Sequence, residues 1–245
     1  MRRFFIILIL AITCAVTLSA ADAGAEFDAA NKLYSQGKFA GAAEGYGKII
    51  QSGAASPAVY FNLGNACFKA GQFGRAIAAY RRAEQAAPRD PDVRANLQFA
   101  RKQIGGNLSV TPGLAQRALG KLTLNEWTLL ATVALWGWLV LLALGQWRTA
   151  WRSRLQSYVL LTGLATAVLG GGVAADWAVN YSMKSAVVVV AEAVVRQGPL
   201  DEAQAAFTAK DGAELTVLDE RDDWLQVGGN QKRIGWVKRA SVQVL

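Results

Sequence analysis

The sequence predicts a multidomain membrane protein that combines an α-helical repeat array, a transmembrane α-hairpin and a small all-β barrel. Three observations predict this fold class. A pattern near the N-terminus recurs after 34 residues, two long uncharged apolar segments occupy the middle, and short alternating runs of apolar and polar residues fill the C-terminal part. The first is typical of helical repeats, the second of membrane-crossing helices, and the third of β-strands.

The N-terminus has the features of an export signal peptide. Arg2 and Arg3 precede an uncharged apolar run at 4–18, and small residues follow at 19–21. A basic start, a short apolar run and a small-residue exit are typical of such signals, so we predict a signal peptide over residues 1–21. An uncleaved anchor helix is the alternative.

The recurring pattern covers residues 31–39 and 65–73, and it continues into the segments that follow them. The positions that agree across the 34-residue offset carry asparagine, an aromatic ring, glycine, phenylalanine, alanine and tyrosine: Asn31/Asn65, Tyr34/Phe68, Gly37/Gly71, Phe39/Phe73, Ala42/Ala76 and Tyr46/Tyr80. This pattern resembles that of the tetratricopeptide repeat (TPR) family.

The TPR resemblance implies a helical array over 22–104, with repeats at 23–56 and 57–90 and a capping helix at 91–104. It also implies that this part binds other proteins, since such repeats rarely carry out chemistry themselves. Because about three repeats are usually needed for independent stability, we expect support from a partner or from self-association.

In TPR proteins the first helix of each pair lines a concave groove. The residues on that face here are three from each repeat: Phe27, Asn31, Tyr34, Phe61, Asn65 and Phe68. The asparagines match those of the family's carboxylate-binding clamps, but Phe27, Ala95 and Phe99 stand where the clamp has basic residues. We therefore predict an aromatic groove for an apolar helix or strand. Packing of these aromatics against each other is the alternative.

The two apolar segments predict a transmembrane hairpin. Trp127–Trp147 and Leu155–Ala175 carry no charge, and a helix of roughly 20 residues spans the hydrocarbon core of a bilayer. We place the two helices at 123–147 and 155–179, after a linker at 105–122. Thr123 and Glu126 form a capping-box pattern at the first helix start.

The connecting loop at 148–154 predicts the orientation of the hairpin. It carries Arg148, Arg152 and Arg154, and such a cluster favours the cytoplasmic side, which puts the two large modules on the outer side. Small residues, among them Gly137, Gly163 and Gly170, would permit close approach of the two helices.

The C-terminal segment 184–245 resembles a bacterial SH3 domain. Its apolar runs, which we predict as strands, are 187–190, 194–195, 214–218, 224–227, 234–237 and 242–245. The resemblance rests on four pieces, of which Ile234-Gly235-Trp236-Val237 is the most specific. Trp224 and Trp236 are either exposed ligand-stacking residues or part of the core that a small barrel needs.

The residue inventory argues against catalysis and against nucleic-acid binding. The chain has no histidine, and it shows neither a Gly-rich phosphate loop nor a cysteine pair at zinc spacing. We therefore predict no catalytic residues, no metal and no cofactor. The net charge of +8 is concentrated in no single patch, so we predict no nucleic-acid partner.

The order of signal peptide, TPR pair, hairpin and SH3 domain resembles that of BatE proteins of bacterial aerotolerance operons. The resemblance implies a non-enzymatic adaptor in the bacterial inner membrane. It also implies partnership with von Willebrand A-domain Bat proteins, linked to a MoxR-type ATPase and to stress tolerance. The alternative is a membrane protein that senses or binds the cell wall, with the SH3 domain holding cell-wall peptides.

Overall fold

A computed structural model describes residues 24–105, 122–148, 151–180, 184–229 and 233–245. The predicted signal peptide and nearly all of the predicted linker lie outside these residues. The described residues form two compact units. One contains the N-terminal helices together with the C-terminal sheet, and the other contains the two long apolar helices.

The N-terminal part of the first unit consists of five helices. They are α1 (24–35), α2 (Phe39–Gln51), α3 (Pro57–Lys69), α4 (Phe73–Ala86) and α5 (Pro91–Gln103). Helices α3 and α5 begin in the same way, with a proline directly after a side-chain cap. Ser56 accepts a hydrogen bond from the Val59 backbone amide, and Asp90 caps α5 likewise.

Small residues allow the helices of each pair to cross closely. Ala42 and Ala76 are fully buried, and a Cβ atom on Gly64 would lie only 2.5 Å from the ring of Tyr80. Between the helices of each pair, Gly37 and Gly71 turn the chain with φ values of 75° and 77°. The 34-residue offset therefore corresponds to two glycine turns of the same backbone conformation and to two crossings with a buried alanine.

The C-terminal part of the first unit is a seven-stranded antiparallel sheet of the order β3-β2-β6-β5-β4-β1-β7. The strands are β1 (Ser185–Val188), β2 (Glu192–Arg196), β3 (Ala205–Lys210), β4 (Glu214–Arg221), β5 (Trp224–Gly228), β6 (Ile234–Lys238) and β7 (Val242–Val244). Strand β3 is absent from the runs that the sequence suggested. Its three alanines favour helix in isolation, and it is held as a strand by its pairing with β2.

The prediction of a closed barrel is wrong, because the sheet is not closed. Strands β3 and β7 are its two edges, and the ladder between β2 and β6 consists of the single residue pair Arg196 and Trp236, next to a β-bulge. Strand β7 has three residues, and the Val244 carbonyl accepts a hydrogen bond from Arg82 of α4 at 3.0 Å. A helix thus contacts the edge that barrel closure would have paired with another strand.

The sheet packs against helices α4 and α5. Along β1 the side chains alternate between two cores, because successive residues of a strand face opposite sides. Ala186 and Val188 belong to the core of the sheet, whereas Val187 is fully buried among the helices in the cluster that contains Ile77 and Leu97. The short repeat array therefore receives support from the chain's own C-terminal module, a source that the sequence did not suggest.

The second unit consists of α6 (Leu124–Trp147) and α7 (Arg152–Asn180), which pack against each other. The capping box of Thr123 and Glu126 is confirmed. Helix α7 begins at Arg152, three residues before the predicted start. Both helices are long and apolar enough to cross a membrane.

The close contacts in the hairpin differ from those that we expected. A Cβ on Gly163 would lie 3.0 Å from Trp138, and one on Gly172 would lie 2.6 Å from Trp127. A Cβ on Gly137 or Gly170 would meet nothing within 4 Å, so these two glycines do not mediate the helix contact. The indole rings take up the space beside the small residues and replace direct backbone approach.

We expect Gly64→Ala to destabilise the repeat array by about 1–3 kcal/mol, because the added methyl group would overlap the buried ring of Tyr80. Gly47→Ala is the matched control. A Cβ there meets nothing within 4 Å, and alanine favours a helix over glycine by about 0.5–1 kcal/mol. Denaturant unfolding of the two variants measures the difference, and equal stability would contradict the close crossing of α3 and α4.

Candidate protein-binding groove

Each of the two helix pairs contains a hydrogen bond from a tyrosine to an asparagine. The Tyr46 hydroxyl donates to Asn31 Oδ1 at 2.6 Å, and 34 residues later the Tyr80 hydroxyl donates to Asn65 Oδ1 at 2.7 Å. Each bond joins the second helix of a pair to the first. The two predicted groove asparagines are therefore oriented by the repeat itself.

The first helix of the next pair adds a further bond to each asparagine. Asn96 Nδ2 of α5 donates to Asn65 Oδ1 at 2.9 Å, and Asn62 Nδ2 of α3 lies 3.5 Å from Asn31 Oδ1. Since Oδ1 of Asn65 accepts two bonds, the remaining capacity of this amide is its N–H donors. Asn62 and Asn96 were not among the predicted groove residues, although their 34-residue spacing carries the signal.

The predicted groove aromatics all pack within their own helix pair. The ring centroids are 5.8 Å apart for Phe27 and Tyr46, and 6.1 Å apart for Phe61 and Tyr80. Tyr34 with Phe39, and Phe68 with Phe73, form edge-to-face pairs at 5.2 and 5.4 Å. The four predicted rings, Phe27, Tyr34, Phe61 and Phe68, remain partly exposed, so they contribute to internal packing and to the groove surface at the same time.

Three of the six predicted residues line one pocket of about 350 Å³ in the groove. Its walls combine aromatic rings, amides and one ammonium group: Tyr34, Asn65, Phe68, Lys69, Tyr80, Asn96 and Phe99. Phe27, Asn31 and Phe61 do not line it. Phe99 of α5 is 53% exposed and its ring centroid is 5.4 Å from that of Phe68, which makes it the most accessible ring of the pocket.

Burial raises the pKa of the two tyrosine hydroxyls that bond the groove asparagines. The pKa values of Tyr80 and Tyr46 both lie above the ordinary tyrosine value, and in both cases the loss of hydration is the largest cause. Both side chains are neutral donors at physiological pH, as an ordinary tyrosine is. Burial also raises the pKa of the Cys67 thiol, which lies beneath the groove in α3, to about 11. This thiol is therefore poorly suited to act as a nucleophile.

The sheet carries two tryptophans on the face opposite its core, of which only Trp224 is accessible to solvent. Leu225 and Val237 belong to the core, so the alternate residues Trp224 and Trp236 face away from it. Lys238 lies over the ring of Trp224 at 5.6 Å, and Arg221 lies over that of Trp236 at 5.3 Å. Trp236 is only 6% exposed, whereas Trp224 is half-buried.

The chemistry that the groove offers is hydrogen bonding and aromatic contact. Within the ranges that the structure describes, no group of three or more His, Cys, Asp or Glu side chains could hold a metal ion. The pocket instead combines amide donors, a lysine ammonium group and aromatic faces. These groups fit a segment of another protein, whose backbone carries acceptors and whose side chains can pack on the rings.

Two family models match the chain. Residues 27–91 match the tetratricopeptide repeat model, and residues 189–243 match the bacterial SH3 domain model. No curated protein matches the chain. The chain thus carries TPR repeats and a bacterial SH3 domain, which are typically non-enzymatic binding domains, and this suggests a role in protein binding.

We expect Cys67 to make the folded protein sensitive to alkaline pH. Its pKa is raised from 9.0 to about 11 in the folded state, so its contribution to stability is complete below pH 9 and is lost as the pH rises towards 11. Over this window wild type should lose up to about 3 kcal/mol more than Cys67→Ala. Denaturant unfolding at pH 8, 9, 10 and 11 measures this, and parallel losses in the two proteins would contradict a buried, protonated thiol.

Proposed function

We propose that this chain is a non-enzymatic adaptor, anchored in the bacterial inner membrane, that binds partner proteins through its TPR groove and SH3 domain on the outer side. The observation that carries the proposal is the groove pocket between α3 and α5. It places the rings of Phe68 and Phe99 beside the amides of Asn65 and Asn96 and the ammonium group of Lys69.

The pocket favours an apolar segment of the partner. Phe99 offers an accessible ring, and Tyr34 and Phe68 offer partly exposed faces on which an apolar side chain can be buried. The Asn65 amide and Lys69 supply donors for backbone or carboxylate oxygens. The pocket contains a single cationic residue, so its main contribution is aromatic and not that of a two-cation carboxylate clamp.

The hairpin supports anchoring with both modules on one side. The TPR repeats and the SH3 domain contact each other, so they belong to the same compartment, and a chain that crosses a membrane twice returns to the side it left. Arg148 between the two apolar helices, and Arg152 and Arg154 in the first turn of α7, favour the cytoplasm for the connecting turn. The outer side then holds the groove and the sheet.

The resemblance to BatE proteins supplies the partner class to be tested first. It suggests membrane proteins with a von Willebrand A domain, in an assembly connected with stress and oxygen tolerance. The groove is compatible with this class, because an apolar segment next to a partner's membrane anchor would supply the side chains that the rings can bury. Self-association is a further prediction that the same experiment tests.

The experiment is site-specific photocrosslinking of the full chain in its native membrane. A photoreactive residue in place of Lys69, which is exposed at the pocket, should crosslink a von Willebrand A-domain membrane protein. The matched control replaces Glu44, which is exposed on α2 and lies outside the pocket. A crosslink to the same protein from both positions, or none from Lys69, would count against the groove as the binding surface.

The alternative function is binding of the cell wall by the SH3 domain, and one observation favours it. Trp224 is partly exposed and Lys238 lies over its ring, so this face offers an aromatic and a cationic group side by side. If this function holds, the full chain in detergent should sediment with purified cell wall. Trp224→Ala should then reduce the bound fraction at least about tenfold, while Val194→Ala, an exposed change on β2, should not. An unchanged bound fraction in Trp224→Ala would exclude this face.

A further inference from the structure

We propose that the SH3 domain is the terminal cap of the repeat array and that Glu214 positions helix α5, which forms one wall of the groove. The groove and the SH3 domain would then act as one binding unit, in which loss of the cap lowers the affinity of the groove for its partner. The proposal deepens the function proposed above and rests on it only for the partner. Three sets of contacts carry it.

The first contact caps α4 from the distant part of the chain. Residue Gln72, at the start of α4, makes no side-chain cap bond, and neither does its repeat equivalent Lys38 at the start of α2. In α4 the bond comes from Asp211, whose Oδ2 accepts a hydrogen bond from the Gly74 backbone amide at 3.1 Å. A carboxylate at this place satisfies a free N–H and also interacts favourably with the helix dipole.

The repeat itself shows that this helix start is adapted to the SH3 domain. A Cβ on Gly74 would lie 2.1 Å from the Val188 carbonyl oxygen and 2.2 Å from Asp211 Oδ1, so only glycine fits. The equivalent residue of the first repeat, 34 positions earlier, is Ala40, which is exposed. The position is therefore glycine in the repeat that contacts the SH3 domain and alanine in the repeat that does not.

The second set of contacts is apolar. Val187 of β1 is fully buried in the helical core, and Gly212, with a φ of 81°, brings the β3–β4 turn against α4 and α5. A Cβ on Gly212 would lie 2.7 Å from Ile104 and 3.0 Å from Ile77. The turn therefore needs glycine both for its backbone conformation and for the close approach.

The third contact holds α5 itself. Arg101 binds Glu214 with both ends of its guanidinium group, Nε to Oε1 at 2.6 Å and Nη2 to Oε2 at 2.9 Å. The two side chains are only 18% and 15% exposed, and Arg81 Nε of α4 lies 3.4 Å from Glu214 Oε2. A bidentate, largely buried pair of this kind fixes orientation as well as distance.

Helix α5 links these contacts to the groove. It carries Arg101 beside the SH3 domain and carries Asn96 and Phe99 in the pocket, where Asn96 also binds Asn65. A change in the position of α5 consequently moves one wall of the pocket relative to Phe68. Any ligand that contacts this wall is therefore coupled thermodynamically to SH3 docking.

The test compares two disruptive variants of the full chain with their matched controls, in detergent for hydrogen exchange and in the native membrane for crosslinking. Glu214→Lys opposes Arg101 and Arg81 with like charge, and Glu202→Lys makes the same change at an exposed site of the same domain. Gly74→Val blocks the docking site, and Ala40→Val makes a similar addition at the equivalent exposed position of the first repeat. Hydrogen exchange of α5 and partner crosslinking from position 69 are measured for each.

We expect both disruptive variants to increase α5 exchange at least about tenfold, with α1 and α2 unchanged, and to reduce the crosslinking yield from position 69. The controls should behave as wild type. Unchanged α5 exchange in both disruptive variants would overturn the cap, and increased exchange with an unchanged crosslinking yield would overturn the positioning role of Glu214.

A charge-exchange variant distinguishes loss of the ion pair from general misfolding. Arg101→Glu combined with Glu214→Lys restores an opposite-charge pair, and it should recover part of the α5 protection that Glu214→Lys loses. No recovery would count against this ion pair. Hydrogen exchange requires no partner, so it tests the cap even if wild type shows no crosslink from position 69. That outcome would instead remove the function proposed above.

Discussion

The first unit depends on one short strand that belongs to two hydrophobic cores. Strand β1 directs Ala186 and Val188 into the sheet and Val187 into the helices. A register slip of one residue would exchange the two faces of the strand, so that each core would receive the side chains meant for the other. The polar contacts around it, Asp211 with Gly74 and Glu214 with Arg101, are satisfied only in this register. The strand therefore fixes the helices and the sheet relative to one another.

The two helix pairs are stabilised by one set of contacts that occurs in both of them. Each pair has a tyrosine that donates to an asparagine, a phenylalanine against that tyrosine, and an edge-to-face aromatic pair at the turn. Buried hydrogen-bonded groups of this sort specify a single packing arrangement, because an unsatisfied partner is costly. The groove thus has a well-defined floor, in which rings and amides are held in fixed positions.

Local patterns predicted much of the fold. The 34-residue offset predicted the helix pairs, Thr123 and Glu126 predicted the start of α6, and the Gly-Trp-Val piece indicated the SH3 resemblance. Each depends on residues that are near in sequence. Strand β3 was missed because Ala205–Lys210 has little strand preference of its own and acquires its structure from β2. Barrel closure was wrongly predicted, because a resemblance of strand order does not determine the pairing of the edges.

The candidate site could likewise be predicted only where its residues follow a local or repeating pattern. Asn31 and Asn65 were found through their repetition, and Asn62 and Asn96 could have been found in the same way. Phe99 enters the pocket through the position of α5, which depends on contacts with the SH3 domain. No pattern along the chain indicates that Glu214 meets Arg101, since 113 residues separate them. The docking of two modules is a tertiary property that composition and period do not encode.

The separation of Gly74 and Asp211 by 137 residues has a consequence for the order of biogenesis. Every residue of the two apolar helices lies between them, and Asp211 emerges from the ribosome only after both of those helices have been made. Contacts between distant segments form late, since the intervening chain must first be brought together. The repeat array therefore reaches its final form only after the SH3 domain has been made. Until then α4 lacks its cap and the apolar site for Val187 is open, which leaves apolar surface exposed to aggregation.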